Sequence, residues 1–156
     1  MHRIQLQHIG SMCDAHGNRL VELYYAPTRE LLHVEWFGNI TGREVIYVAQ
    51  EFLKVQKQLN ISVLLNDKSH ATGDWTESME WLEFDWLPQV LLEGLRAVAY
   101  VFSPDAGTHY ASRDFSERVA RHIPIRLFYD VPSASKWLNS QVRFNPNTGH
   151  GFAAQA

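Results

Sequence analysis

The chain predicts an α/β fold: a mixed sheet of five strands, the first antiparallel and the rest parallel, with helices mainly on one face. Three observations carry this. Two alternating apolar runs, Leu20–Tyr25 and Leu31–Phe37, are joined by a link too short for a parallel crossover, so they form a hairpin. An extended apolar run, a turn and an amphipathic helix then recur, with strands expected at Ile61–Leu65, Ala97–Phe102 and Ile123–Tyr129. Parallel crossovers are right-handed, so strands laid down successively in one direction place their helices on one side.

Each element has a local cause. In the first strand Val21, Leu23 and Tyr25 share one face, and in the second Leu32, Val34 and Trp36 do. Pro27 and the polar residues to Glu30 make the turn between them. Thr41-Gly42-Arg43-Glu44 is a capping box that starts a helix carrying Val45, Val48, Ala49, Phe52 and Leu59 on one stripe. Ile61–Leu65 is almost wholly apolar, as a central parallel strand should be.

The polar stretch Asn66–Asp74 reads as a loop leading to a second cap at Asp74. The helix after it buries Met79, Leu82, Trp86 and Val90, and Pro88 must kink or restart it. A weakly amphipathic helix is expected near Ser112–His122 and a short last one near Ser133–Ser140, anchored by Trp137 and Leu138. The sheet face away from the helices is expected to be partly bare and lined by Tyr24, His33, Glu35 and Arg126.

At 156 residues the chain holds one domain with a sizeable core. It divides into a flexible N-terminal arm (1–18), the α/β domain (19–140) and a disordered tail (141–156). A net charge of −3 with scattered Lys and Arg argues against a nucleic-acid partner. The single cysteine, Cys13, rules out an internal disulfide and suits a reducing cytoplasm. Neither a signal peptide nor a membrane span is present in the apolar pattern, so a cytoplasmic protein is expected. The eight histidines show no His-x-x-x-His spacing, and Cys-x-x-Cys is excluded by the lone cysteine. No metal, no cofactor and no catalytic residue is therefore expected, and the protein reads as a non-enzyme.

The candidate site residues follow from position. Open α/β sheets present ligands beyond the carboxyl ends of their strands. That places Asp67, Ser69, His70 and Asp74 at a ligand or partner site in the loop, or, more plainly, makes them a solvated loop with Asp74 as a helix cap. On the next helix Trp81 and Phe84 lie round the side of the apolar stripe, where they serve a partner surface or intramolecular packing. Binding at this surface is expected to involve no covalent chemistry.

The core from about Leu20 to Leu138 resembles the SpoIIAA-like, or STAS, superfamily, and most closely its small uncharacterised bacterial members. The matching residues are Leu32-His33-Val34-Glu35-Trp36-Phe37-Gly38, Thr41-Gly42, Asn66-Asp67, Glu80-Trp81-Leu82-Glu83-Phe84-Asp85-Trp86-Leu87-Pro88 and Gly94-Leu95-Arg96. The resemblance implies a regulatory or protein-interaction module that binds a protein partner, a second copy of the chain included. Anti-sigma-factor antagonists of that superfamily carry a phosphorylated serine in an Asp-Ser-Ser-Gly type motif. Here the corresponding stretch is Gly73-Asp74-Trp75-Thr76-Glu77-Ser78, and the motif is absent. The alternative is a carrier or sensor for an apolar or amphipathic small molecule held between sheet and helices. A pocket lined by Trp81, Trp86 and Tyr100 would favour that alternative, and a filled core would remove it.

Overall fold

A computed structural model describes residues 5–143 of the chain. Six strands form one sheet: β1 (Gln7–Cys13), β2 (Arg19–Ala26), β3 (Leu31–Asn39), β4 (Val63–Thr72), β5 (Ala97–Val101) and β6 (Ile125–Phe128). They lie side by side in chain order. β1, β2 and β3 pair antiparallel, and β3 through β6 pair parallel. The mixed α/β class holds.

The strand count is six rather than five. Gln7–Cys13, expected in a flexible arm, runs along β2 with Gln7 opposite Tyr25 and Cys13 opposite Arg19. Its side chains are mostly exposed, so it carries no apolar alternation to announce it. The backbone ladder holds it, and its polar composition suits an edge strand. Asp14 closes the hairpin, since its Oδ1 accepts the amides of His16 and Asn18, both at 2.9 Å.

Helix α1 (Gly42–Gln58) begins at the expected capping box, where the Thr41 amide donates to Glu44 Oε1 at 2.7 Å. The second helical segment, α2, is irregular. It comprises a 3₁₀ turn (Thr76–Ser78), one α turn (Met79–Trp81), a π turn (Leu82–Trp86) and an α-helical end (Leu87–Leu92). Pro88 sits in the first turn of that last piece, where its missing N–H is tolerated, so the expected restart occurs there. Helix α3 spans Ala106–Val119 and helix α4 spans Val131–Arg143.

α1, α2 and α3 cover one sheet face, on a core that includes Val34, Trp36, Phe52, Trp86 and Phe115. α4 lies on the other face, where Ala134 and Leu138 pack on Leu31, Val63, Leu65 and Ala97. The crossover rule does not reach this helix, because no strand follows it within the described residues. The face expected to be partly bare is thus half covered, and Arg126 lies against the Phe128 and Trp137 rings under α4. α4 also extends past Ser140, three residues into the expected tail, while 144–156 fall outside the described residues.

Trp86 is 5 % exposed, packs on Phe52 and Phe115, and donates its indole N–H to the Ala49 carbonyl at 2.8 Å. Trp86→Ala removes a ring from the junction of α1, α2 and α3. Denaturant melts should show a loss of about 3–5 kcal/mol, and a loss below about 1 kcal/mol would contradict this packing.

Candidate functional site

The longest departure from the sequence reading occurs at the polar stretch after Leu65. Residues 66–72 continue β4, reaching Thr72 opposite Asn39 of β3. Alternation along the extended strand sends Leu64, Asn66 and Lys68 toward the helix-covered face. Between Glu35 and Phe37 the pairing shifts, because Asp67 opposes Glu35 while His70 opposes Phe37. This bulge gives β4 one extra residue opposite Trp36. Bulges of this kind redirect side chains. Here it returns His70 to the face of Asp67, while Lys68 points under the helices.

Lys68 is 1 % exposed. Its Nζ lies 3.8 Å from the centroid of the Trp36 ring, 4.3 Å from that of Trp75 and 5.7 Å from that of Tyr100. Three elements supply this aromatic box: β3, the turn entering α2, and β5. None of the ion pairs among the described residues includes Lys68. Two effects oppose each other. Ring faces attract a cation, each by about 0.5–2 kcal/mol. Removing an unpaired ammonium from water costs several kcal/mol even after relaxation. Desolvation wins, and burial holds the Lys68 amine well below the usual lysine range.

Asn66 and Tyr100 stand beside the amine. Trp36 Nε1 donates to Asn66 Oδ1 at 2.9 Å, which fixes the orientation of that amide. Burial pushes the Tyr100 phenol up, and the neighbouring Asn66 side chain offsets this in part. Trp75 stacks on Tyr100 with ring centroids 6.2 Å apart. Its buried indole N–H has no hydrogen-bond partner among the described residues.

A cavity of about 40 Å³ is lined in part by Lys68. Its sheet side is formed by Val34, Trp36, Leu64, Asn66, Lys68 and Tyr100, and its helix side by Phe52 of α1 and Leu82 and Trp86 of the π turn of α2. Each of these residues is buried, and the space lies between sheet and helices. One water needs roughly 10–15 Å³ of such space, so the cavity admits a few waters or an organic molecule of a few heavy atoms. Of the three residues whose pocket would favour the small-molecule alternative, Trp86 and Tyr100 line this cavity and Trp81 does not.

The residues singled out from sequence are split by the sheet. Asp67 is 5 % exposed and lies on the face opposite Lys68, with His33 Nε2 at 3.8 Å from Oδ2. Ser69 donates to Asp67 Oδ1 from its hydroxyl at 2.6 Å and from its amide at 3.0 Å. Burial raises the Asp67 carboxyl, but the His33 ring and the two Ser69 donors outweigh it and leave it below the usual range. A carboxyl lowered in this way stabilises the fold above the ordinary Asp range, and that contribution is lost as pH falls through its folded value. His70 stacks on Phe37 and stands 3.9 Å from Glu35.

Asp74 is exposed, and its Oδ1 accepts the Thr76 amide at 2.9 Å, the helix-entry role. Trp81 is partly buried against the helix-side core, and Phe84 is 67 % exposed. These two stand on the helix layer, so they do not share a surface with Asp67 and His70. Lys68 lies within the loop Asp67–Asp74 expected to take part in binding, but on the sheet face away from Asp67; Trp36 and Trp75 are not among the expected site residues. The signal for Lys68 is the alternation Leu64, Asn66, Lys68, visible once the strand is extended through polar residues.

No protein-family model, no curated protein and no solved structure matches the chain. Among the described residues no group of three or more His, Cys, Asp or Glu is placed to hold a metal ion. No helix among them is long and apolar enough to cross a membrane.

A buried amine without a charged partner costs stability, which gives a direct check. Lys68→Met keeps the length and the apolar stem of the side chain and removes the amine. It should stabilise the protein at neutral pH by about 1–3 kcal/mol in denaturant melts. The unfolded lysine binds a proton at pH values where the folded one does not. Wild-type stability therefore rises with pH toward the ordinary lysine range, near about 10.4, and the gap to the variant narrows there. A variant less stable than wild type, with no narrowing at high pH, would show that the amine is charged and held.

Proposed function

We propose that the protein is a non-enzymatic small-molecule-binding module, a carrier or sensor, whose ligand occupies the cavity between sheet and helices beside Lys68. One observation supports this above others: a buried lysine with no ion-pair partner among the described residues lines a largely apolar cavity. Burying it opposes folding, and groups that oppose folding concentrate at functional sites. The shape agrees with small-molecule sites in general, mostly apolar walls with a few polar groups that orient the ligand. Here those groups are Lys68, Asn66 and Tyr100. The size narrows the ligand to a compact, uncharged molecule of a few heavy atoms. The π turn of α2 is the irregular wall of the cavity and the proposed route of entry, since π turns recur at functional sites.

A second reading, a protein-interaction module of STAS type, keeps support from the sequence resemblance and from the exposed Phe84 and Leu92 on α2. The two readings separate on one spectrum. Wild-type protein is titrated with 2-propanol, and the indole N–H signals are followed by NMR. The cavity reading expects saturable shifts of the Trp36 and Trp86 signals, lost in Ala49→Leu, whose larger side chain fills the cavity. Linear shifts common to all five tryptophans, equal in the variant, would remove it and leave the interaction reading.

A further inference from the structure

We propose that Lys68 captures compact aldehydes and ketones as an imine within this cavity, an inference that rests on the small-molecule reading above. Three features combine. Lys68 is one of the residues that line the cavity, and two of the rings around its nitrogen, Trp36 and Tyr100, line it as well. The polar side chains lining that space with it are Asn66 and Tyr100, both able to hydrogen-bond a carbonyl oxygen. The aromatic box surrounds the nitrogen rather than the rest of the cavity.

The step balances without a further reactant. The Nζ lone pair attacks the carbonyl carbon, a C–N bond forms and the C=O π bond opens. One N–H proton passes to the oxygen and gives a neutral carbinolamine. The C–O bond then breaks as the nitrogen lone pair forms C=N, and the second N–H proton leaves with the oxygen as water. Nothing is oxidised or reduced, and the reverse reaction with water releases the carbonyl compound.

The site suits this chemistry better than the alternatives. A desolvated lysine in an apolar pocket is an activated amine, whereas an ammonium has no lone pair to offer. Burial shifts Lys68 toward that neutral form. The imine so formed is neutral; a proton taken from solvent water makes it a cation with a more dispersed, less strongly hydrated charge than an ammonium. Three ring faces around the nitrogen stabilise it. The same ring faces repel an anion, so an acid that needs a counter-charge fits poorly. The cavity volume limits the partner to about two to four heavy atoms.

The chain's other lysines, Lys54, Lys57 and Lys136, are internal controls, since all three are exposed. Lys54 pairs with Glu51, which favours its charged form, and Lys57 pairs with Glu93. The experiment treats the full chain with acetone and sodium cyanoborohydride at neutral pH and maps isopropylated lysines by peptide mass spectrometry. Acetone has the same carbon skeleton as 2-propanol and adds the carbonyl. The expected result is at least about tenfold more adduct on Lys68 than on any other lysine, because an ordinary lysine is almost wholly protonated at this pH. The adduct on Lys68 should fall at least about tenfold in Ala49→Leu. Adducts spread over the exposed lysines, with 2-propanol still shifting the Trp36 and Trp86 signals, overturn the imine and leave the cavity as a non-covalent site. Loss of both signals overturns both readings. Lys68→Met, treated in parallel, must show no change in labelling elsewhere; a rise on another lysine would assign the chemistry to that residue and overturn the proposal.

Discussion

The desolvation of one amine organises the centre of this protein. Lys68 lies on a central strand, and the rings around its nitrogen come from β3, from the turn entering α2 and from β5. The box therefore exists only when β3, β4 and β5 are in register and the helical layer has closed. Aromatic contacts spread outward from it: Trp75 meets Tyr100 and Phe115, and Phe115 meets Trp86. Trp86 in turn holds α1 through the Ala49 carbonyl. The apolar cluster that stabilises the fold is the same one that strips water from the amine.

An opposite charge stands next to Lys68 in sequence, yet the two do not neutralise each other. Asp67 and Lys68 are consecutive on one strand, so their side chains leave opposite faces of the sheet. Asp67 finds His33 and Ser69 on its own side. Lys68 finds only ring faces among its described contacts. The bulge opposite Trp36 sharpens the separation, because it moves His70 away from the amine and onto Phe37. One face of the sheet thus gathers polar, titratable groups beside α4, and the other keeps a single amine in apolar surroundings.

How much of this is legible in the sequence depends on whether side-chain pattern or backbone pairing holds each element. The β2–β3 hairpin, the capped α1 and the apolar β5 follow from periodicity, because burial of one face dictates their residues. β1 does not follow, because an exposed edge strand is held by its ladder and its sequence is free to be polar. The end of β4 reads as a loop for a related reason. Its polar residues satisfy two different environments, a hydrogen-bonded cluster on one side and an aromatic box on the other. The irregular course of α2 is legible only at Pro88. The candidate site suffers most from the hidden strand. Asp67, Ser69 and His70 stand out as polar residues, while Lys68 does not, because a lysine in a loop is ordinary. Placed on a strand after Leu64 and Asn66, the same lysine is buried by alternation alone. Neither Trp36 nor Trp75 carries a sequence signal for the box, since the fold brings them together from positions 39 residues apart.

The account stands on the charge state of one nitrogen. Carbon-13 at the lysine Cε reports the protonation of the adjacent amine by its chemical shift. In uniformly labelled protein the Lys68 Cε signal, assigned by its absence in Lys68→Met, should titrate well below the ordinary lysine range of about pH 10.4. A Lys68 Cε signal that titrates within that range would contradict the account.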